Sequence, residues 1–317
     1  MKIINTLTDK TLDFNFNEKN IFLCKSLDSL YNLKDFHESL FSAKSSGSKF
    51  IINYSNHDYI IDKSNFKLFN VPSYLDLYKD ICGGNKTILK ELITIVINSN
   101  FFEEEELILI KNLIDTLQLK KIKPISYLIE LIKSSTDYDA DFVINDNIVD
   151  YISTNVIMHI SKNDTNIDNI ISQYELKKIY LEILYIISQQ SDKNFYYVFI
   201  NPFIGLNFNE FKDFFNSIKR FNFYSILCNN MYSINNEDLL NLKIEFYNFI
   251  DISSIINKKD EYILFWDGQG ITEFEKFIYE TTNKIIDLNL FNNTNNNLKY
   301  FDQNELNFIE ILKNYLK

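Results

Sequence analysis

Phe195-Tyr196-Tyr197-Val198-Phe199-Ile200-Asn201 decides the fold: six apolar residues run without interruption and stop at Asn201-Pro202. A strand with one wet face alternates, whereas an unbroken run fits a strand covered on both faces, as in a parallel sheet between helices. Downstream, Asn207–Arg220 has Phe208, Phe211, Phe214, Phe215 and Ile218 at helical spacing, which points all five inward. Phe223–Cys228 is a second buried strand. Strand, helix and strand in this order predict a parallel pair with a right-handed crossover.

Upstream of that pair the pattern is helical almost throughout, from Pro72 to about Gln190. Pro72-Ser73 reads as a helix start and Gly83-Gly84 as its stop. Further helices are expected over Thr87–Asn98, Glu103–Gln118, from Pro124 through Ile132, up to Lys162 after a polar break at Asp137–Asp146, and over Asp168–Gln190. The first 71 residues carry strand signals instead. Leu12–Phe16 alternates with a period of two, Asn20–Cys24 is a short apolar run, and Asn17-Glu18-Lys19 between them predicts a hairpin. Leu27–Phe41 is an amphipathic helix, and Lys49–Tyr54, Asp58–Ile61 and Phe66–Val71 read as short strands. Beyond the central pair, Glu237–Leu242 reads as a short helix, Phe246–Ile250 and Tyr262–Trp266 as strands, and Ile271–Ile286 and Gln303–Leu316 as helices, with a linker at Asn292–Asn297. Strands on either side of the helical stretch are expected to share one sheet. The expected organisation is an α/β head formed by residues 1–72 and 190–250, a helical domain over 73–189, and an extension over 251–317 packed on the head. A length of 317 residues agrees with about two domains.

Composition narrows the function classes. Six glycines and three prolines argue against a turn-dense barrel or a glycine-rich nucleotide fingerprint. The balance of 32 basic and 43 acidic residues, a net charge of −11, argues against diffuse nucleic-acid binding, though a local basic surface stays open. Lysines cluster at Lys120-Lys121-Lys123, Lys177-Lys178 and Lys258-Lys259, and Lys219 is followed by Arg220, the one arginine. Cys24, Cys82 and Cys228 are odd in number and lack a C-x-x-C spacing, so they are expected to be buried thiols in a reducing compartment. Nothing at the start of the sequence reads as a signal peptide, and no apolar run approaches the ~18 residues of a membrane helix. A cytoplasmic protein without membrane partners is expected.

Signals for catalysis are weak. A phosphate loop reads G-x-x-x-x-G-K-[ST] between a strand and a helix. Gly83-Gly84-Asn85-Lys86-Thr87 lacks the spacing and the strand, and Ser45-Ser46-Gly47-Ser48-Lys49 precedes a strand. Asp267-Gly268-Gln269-Gly270 follows a predicted strand and opens a helix, so a nucleotide- or phosphate-handling enzyme with its site there is the alternative reading. His37, His57 and His159 have no local nucleophile partner. Glu103–Glu106 suits a helix first turn, where carboxylates meet the positive end of the dipole. Asp137, Asp139 and Asp141 offer oxygen at alternate positions, but Phe142 and Ile148 stand where an EF-hand needs Gly and Glu.

The order of these parts resembles the Csn-two family, the adaptation protein of type II-A CRISPR systems, in its longer form. The likeness is carried by Leu12–Phe16 and Asn20–Cys24 running into Leu27–Phe41, by Lys49–Tyr54 and Phe66–Val71 followed by Pro72-Ser73-Tyr74-Leu75, by Tyr180–Leu184 leading into Phe195–Asn201, and by Asn209–Ile218 leading to Phe223–Cys228. It covers about residues 1–100 and 175–250. The resemblance implies a P-loop-NTPase-like α/β head without a functional P-loop, a long helical leg and a C-terminal α/β extension. It implies no enzymatic activity and no nucleotide. It also implies a homotetrameric ring that takes double-stranded DNA ends through a lysine-lined hole during spacer acquisition, the step that equips antiviral defence against phage and plasmids. Partners would be the CRISPR integrase and the RNA-guided nuclease, with calcium bracing the legs. On that reading Lys120, Lys121, Lys123, Lys219 and Arg220 are the DNA-contact candidates, and Glu103, Glu106, Asp137, Asp139 and Asp141 the calcium candidates. A structural or interaction protein of a mobile element remains the other alternative.

Overall fold

The structure is a computed structural model that describes residues 2–5, 11–13, 19–41, 50–53, 66–82, 171–190, 194–245, 249–257, 271–288 and 298–314, with short pieces between 87 and 166. Contacts divide the chain into two compact units, Met1–Leu75 with Lys193–Lys317, and Asp76–Asp192. The first unit opens with β1 (Lys2–Asn5), β2 (Thr11–Asp13), β3 (Asn20–Leu23), α1 (Leu27–Phe41), β4 (Phe50–Asn53) and β5 (Phe66–Val71). The second contains a π-helical turn at Leu77–Cys82, the small hairpin β6 (Ser161–Lys162) and β7 (Thr165–Asn166), and α2 (Gln173–Gln190). The first unit then resumes with β8 (Asn194–Ile200), α3 (Phe208–Ile218), β9 (Tyr224–Cys228), α4 (Asn236–Leu239), β10 (Leu242–Glu245), β11 (Phe249–Asp251), α5 (Ile252–Asn257), α6 (Ile271–Asp287) and α7 (Gln303–Asn314).

A six-stranded sheet organises the first unit, in the order β11-β10-β3-β9-β8-β5. Neighbours from β10 to β5 are parallel, and only the edge strand β11 runs antiparallel. β8 pairs with β9 through Val198 opposite Ser225, and with β5, which precedes the second unit in sequence, with Val71 opposite Phe199. β3 and β9 are buried along their whole length and β8 from Phe195 to Phe199. That burial on two faces is why these segments have no polar alternation. On one face Tyr196 and Val198 join Phe22, Cys24 and Leu227 against Leu30, Leu33 and Phe36 of α1. On the other, Phe195, Tyr197 and Phe199 form an aromatic ladder with Phe69, Phe221 and Tyr224, the closest centroids being 4.4 Å apart at Tyr197 and Phe221. Buried rings at such spacings add to the apolar burial they already contribute.

Helix ends follow their local chemistry. Asn207 and Glu210 form a reciprocal capping box at the start of α3, the side chain of each accepting the other's backbone N–H at 3.1 and 2.9 Å. Ser172 and Glu175 do the same before α2.

Several expectations need correction. Leu12–Phe16 and Asn20–Cys24 do not form a hairpin. β2 pairs with β1, a strand the sequence reading passes over, in a separate antiparallel sheet ordered β2-β1-β4, while β3 enters the large sheet between β10 and β9. Leu242 does not close a helix; it begins β10, which ends at Glu245, and of the expected Phe246–Ile250 strand Phe249 and Ile250 fall in β11, while 246–248 lie outside the described residues. Ser161–Lys162 is strand rather than helix end. The helix expected from Pro72 starts at Leu77 as a π-helical turn. Phe208 is half exposed rather than inward, whereas Phe211, Phe214, Phe215 and Ile218 are buried. The Asp58–Ile61 and Tyr262–Trp266 strands lie outside the described residues, as do the Pro124 helix and most of the Glu103–Gln118 helix.

Candidate functional site

In an open α/β sheet, ligands bind beyond the carboxyl ends of the strands. At that edge β3 passes into α1 through Cys24, Lys25 and Ser26 alone. Cys24 is still in the ladder, its N–H donating to the Cys228 carbonyl at 2.7 Å. Ser26 caps α1, its hydroxyl oxygen accepting the Ser29 N–H at 3.2 Å. Beside this turn lies the carboxylate of Glu245, only 1% exposed although it is an acid on a short strand. Its Oε2 accepts the Lys25 backbone N–H at 2.9 Å and its Oε1 accepts the Ser29 hydroxyl at 2.7 Å. The register explains the meeting: Ile244 is opposite Leu23, so the next residue of β10 stands level with the start of the turn.

The turns after β8 and β9 are tied to each other. Asn201 adopts φ 44°, a left-handed conformation that asparagine tolerates better than most residues. Its N–H donates to the Leu227 carbonyl at 2.7 Å, and its side-chain oxygen accepts the Asn229 N–H at 3.0 Å. Between these turns a cleft of about 460 Å³ is lined by Phe203, Ile204, Leu206, Met231, Tyr232 and Asp287, among others. Its lining mixes apolar side chains with the polar groups of Asn230, Tyr232 and Asp287. Asp287 is engaged by the Ser233 N–H at 3.2 Å, which helps dock α6 on the β9–α4 connection.

A polar chain crosses the core beneath α1. His37 Nδ1 is 2.7 Å from the Leu33 carbonyl, which can only accept, so Nδ1 carries the proton. Nε2 therefore accepts from the Ser225 hydroxyl at 2.9 Å, Ser225 accepts from Tyr196 at 2.8 Å, and Tyr196 accepts from the Asn20 amide at 3.4 Å. All four residues are fully buried. Burial lowers the His37 pKa from 6.5 to about 4, opposed by the Leu33 hydrogen bond. A serine and a histidine at hydrogen-bond distance look like a nucleophile and its base, but 0% exposure keeps any substrate away. The chain is structural. The sequence offered no sign of it, because His37 and Ser225 are 188 residues apart.

Of the DNA-contact candidates, Lys219 and Arg220 lie at the C-terminal end of α3. The Lys219 ammonium is 3.0 Å from an Asp238 carboxylate oxygen and 5.5 Å from the Phe215 ring centroid, while its carbonyl accepts from the Lys19 ammonium at 2.9 Å. Arg220 is exposed. Lys120, Lys121 and Lys123 lie outside the described residues, and so do Glu103, Glu106, Asp137, Asp139, Asp141 and the Asp267–Gly270 turn. Among the described residues no group of three or more His, Cys, Asp or Glu could hold a metal ion. Cys24 and Cys228 are buried and form no disulfide, and burial pushes the Cys228 thiol up to about 12, far from reactive. No helix among the described residues is long and apolar enough to cross a membrane.

The chain matches no family model, and no curated protein matches it. Among solved structures it is similar to the crystal structure of Stu0660 of Streptococcus thermophilus, with a TM-score of 0.57 at 12% identity over 89% of this chain and 86% of that one. At that identity the two share a fold.

Proposed function

We propose that the chain is a non-catalytic, ring-forming protein that binds double-stranded DNA ends during CRISPR spacer acquisition. The observation that carries this reading is the strand order. Numbered by sequence, the five parallel strands lie 5-1-4-3-2 from β10 to β5. P-loop heads that place one strand between the phosphate-loop strand and the strand bearing the magnesium aspartate use this order. β3 then stands in the phosphate-loop place and β8 in the aspartate place. Neither is equipped for nucleotide. The β3–α1 turn has no glycine and is too short for G-x-x-x-x-G-K-[ST], and β8 is followed by Asn201, an amide where magnesium needs a carboxylate. A head of this order without the nucleotide parts is what the resemblance to the Csn-two family implies, and the fold shared with Stu0660 supports the same architecture.

DNA ends, tetramer, calcium, integrase and nuclease enter this reading through the resemblance. Lysine suits the task, because a point charge neutralises phosphate without reading bases. A ring with acids outside and lysines inside reconciles −11 per chain with DNA binding. The leg carboxylates Glu103, Glu106, Asp137, Asp139 and Asp141 would repel one another without a cation. Gel filtration with light scattering, with and without linear duplex, tests the proposal. It requires a tetramer that shifts on adding DNA; a monomer that ignores DNA would leave the enzyme or the mobile-element component as the better reading. Calcium should raise the tetramer mass or tighten DNA binding relative to chelator, and equal values in both would remove calcium from the account.

A further inference from the structure

We propose that Glu245 is an internal anion that keeps the β3–α1 turn permanently occupied, so that the place where a P-loop head binds phosphate is closed by the protein's own carboxylate. This takes the nucleotide-free part of the proposed function one step further and rests on it.

The start of α1 favours negative charge, because its first backbone N–H groups have no helical partner and the peptide dipoles add there. Glu245 lies at that end from another strand, 220 residues away, with one oxygen on the N–H of Lys25, just before the capping Ser26, at 2.9 Å and the other on the Ser29 hydroxyl at 2.7 Å. Hydrogen bonds to an ionised acceptor are short and strong, and they offset the cost of burying a carboxylate at 1% exposure. The carboxylate cannot swing away easily. Its backbone is held by the ladder, with Ile244 parallel to Leu23 and Glu245 itself paired with Phe249 of β11. Ser29 is positioned in turn by Ser26, whose hydroxyl is 3.2 Å from both its N–H and its Oγ. The arrangement is a preorganised anion cradle with its anion built in, and it fastens the β10–β11 edge to the turn.

Removing the carboxylate should therefore leave a cradle that a small free carboxylate can refill. In thermal unfolding without DNA, Glu245→Ala should melt lower than the native protein. About 100 mM formate should then raise its midpoint by about 2 °C or more relative to chloride at equal ionic strength. The native protein should respond to neither formate nor inorganic phosphate beyond the chloride control. Adding Ser29→Ala to Glu245→Ala should weaken the formate response. A native protein stabilised by phosphate, or a folded Glu245→Ala protein indifferent to formate, would overturn the proposal. Should Glu245→Ala not fold, Ser29→Ala alone decides: amide exchange at Lys25 and across Leu242–Asp251 should quicken, and exchange equal to native would overturn the proposal. Because these readouts contain no DNA, they fail separately from the DNA-binding reading.

Discussion

His37 is the residue whose chemistry is most tightly constrained. Its imidazole sits 6.2 Å from the Phe22 ring and 6.0 Å from Tyr196, centroid to centroid, with no exposure to water. Protonating Nε2 would turn an acceptor into a donor facing Ser225 and would reverse the order of donors back to Asn20. The folded value of about 4 lies below the unfolded 6.5, so the unfolded chain takes the proton first. The stability held by neutral His37 is complete above pH 6.5 and is lost as pH falls through about 4, to a limit of roughly 3 kcal/mol. Urea unfolding at pH values across this window should show the loss, and His37→Gln should flatten that part of the slope; parallel slopes for the two proteins would contradict the assignment. From the sequence, His37 reads as a helix residue beside Glu38. The helix was legible there because its spacing is local, whereas the role was not, because Ser225 and Tyr196 reach His37 only through the folded sheet.

At the scale of elements, α1 and α3 were legible because each carries a helical period and β8 and β9 because each is an apolar run, and each lies within a residue or two of its expected place. β10 was not. Leu242-Lys243-Ile244-Glu245 reads as half polar, yet all four residues are buried. The charges are satisfied from elsewhere: Lys243 by Asp251 of β11 at 3.5 Å and by the Phe22 ring at 5.8 Å, Glu245 by the β3–α1 turn. A strand of this kind is invisible until its partners are known. The misread hairpin has a related cause, since alternation shows that a segment is a strand but does not name its neighbour. The Lys243–Asp251 pair predicts an asymmetry. The Lys243 side chain is 4% exposed and that of Asp251 22%. Lys243→Met leaves a part-exposed aspartate that still accepts from the Ser253 N–H and hydroxyl, whereas Asp251→Ala strands a buried ammonium. Asp251→Ala should cost about 3 kcal/mol and Lys243→Met about 1 kcal/mol in denaturant unfolding. Equal costs would show that the pair is not desolvated as described.

At the scale of the whole molecule, the account must place DNA on an acidic chain. Of the two described DNA-contact candidates, Lys219 is partly buried against Asp238 and Arg220 is the more exposed. If the C-terminal end of α3 faces DNA, Arg220→Ala should weaken binding to all sequences alike and lower the salt slope by about one unit. Unchanged affinity and slope would make Arg220 a bystander. A closed ring adds a demand that no surface patch makes, because duplex must be threaded from an end. The most direct measurement therefore compares binding to a linear duplex and to a closed circle of the same sequence at several salt concentrations. The account predicts tight, sequence-independent binding to the linear form that falls steeply with salt, and little binding to the circle. Equal binding to both, or binding indifferent to salt, would contradict it.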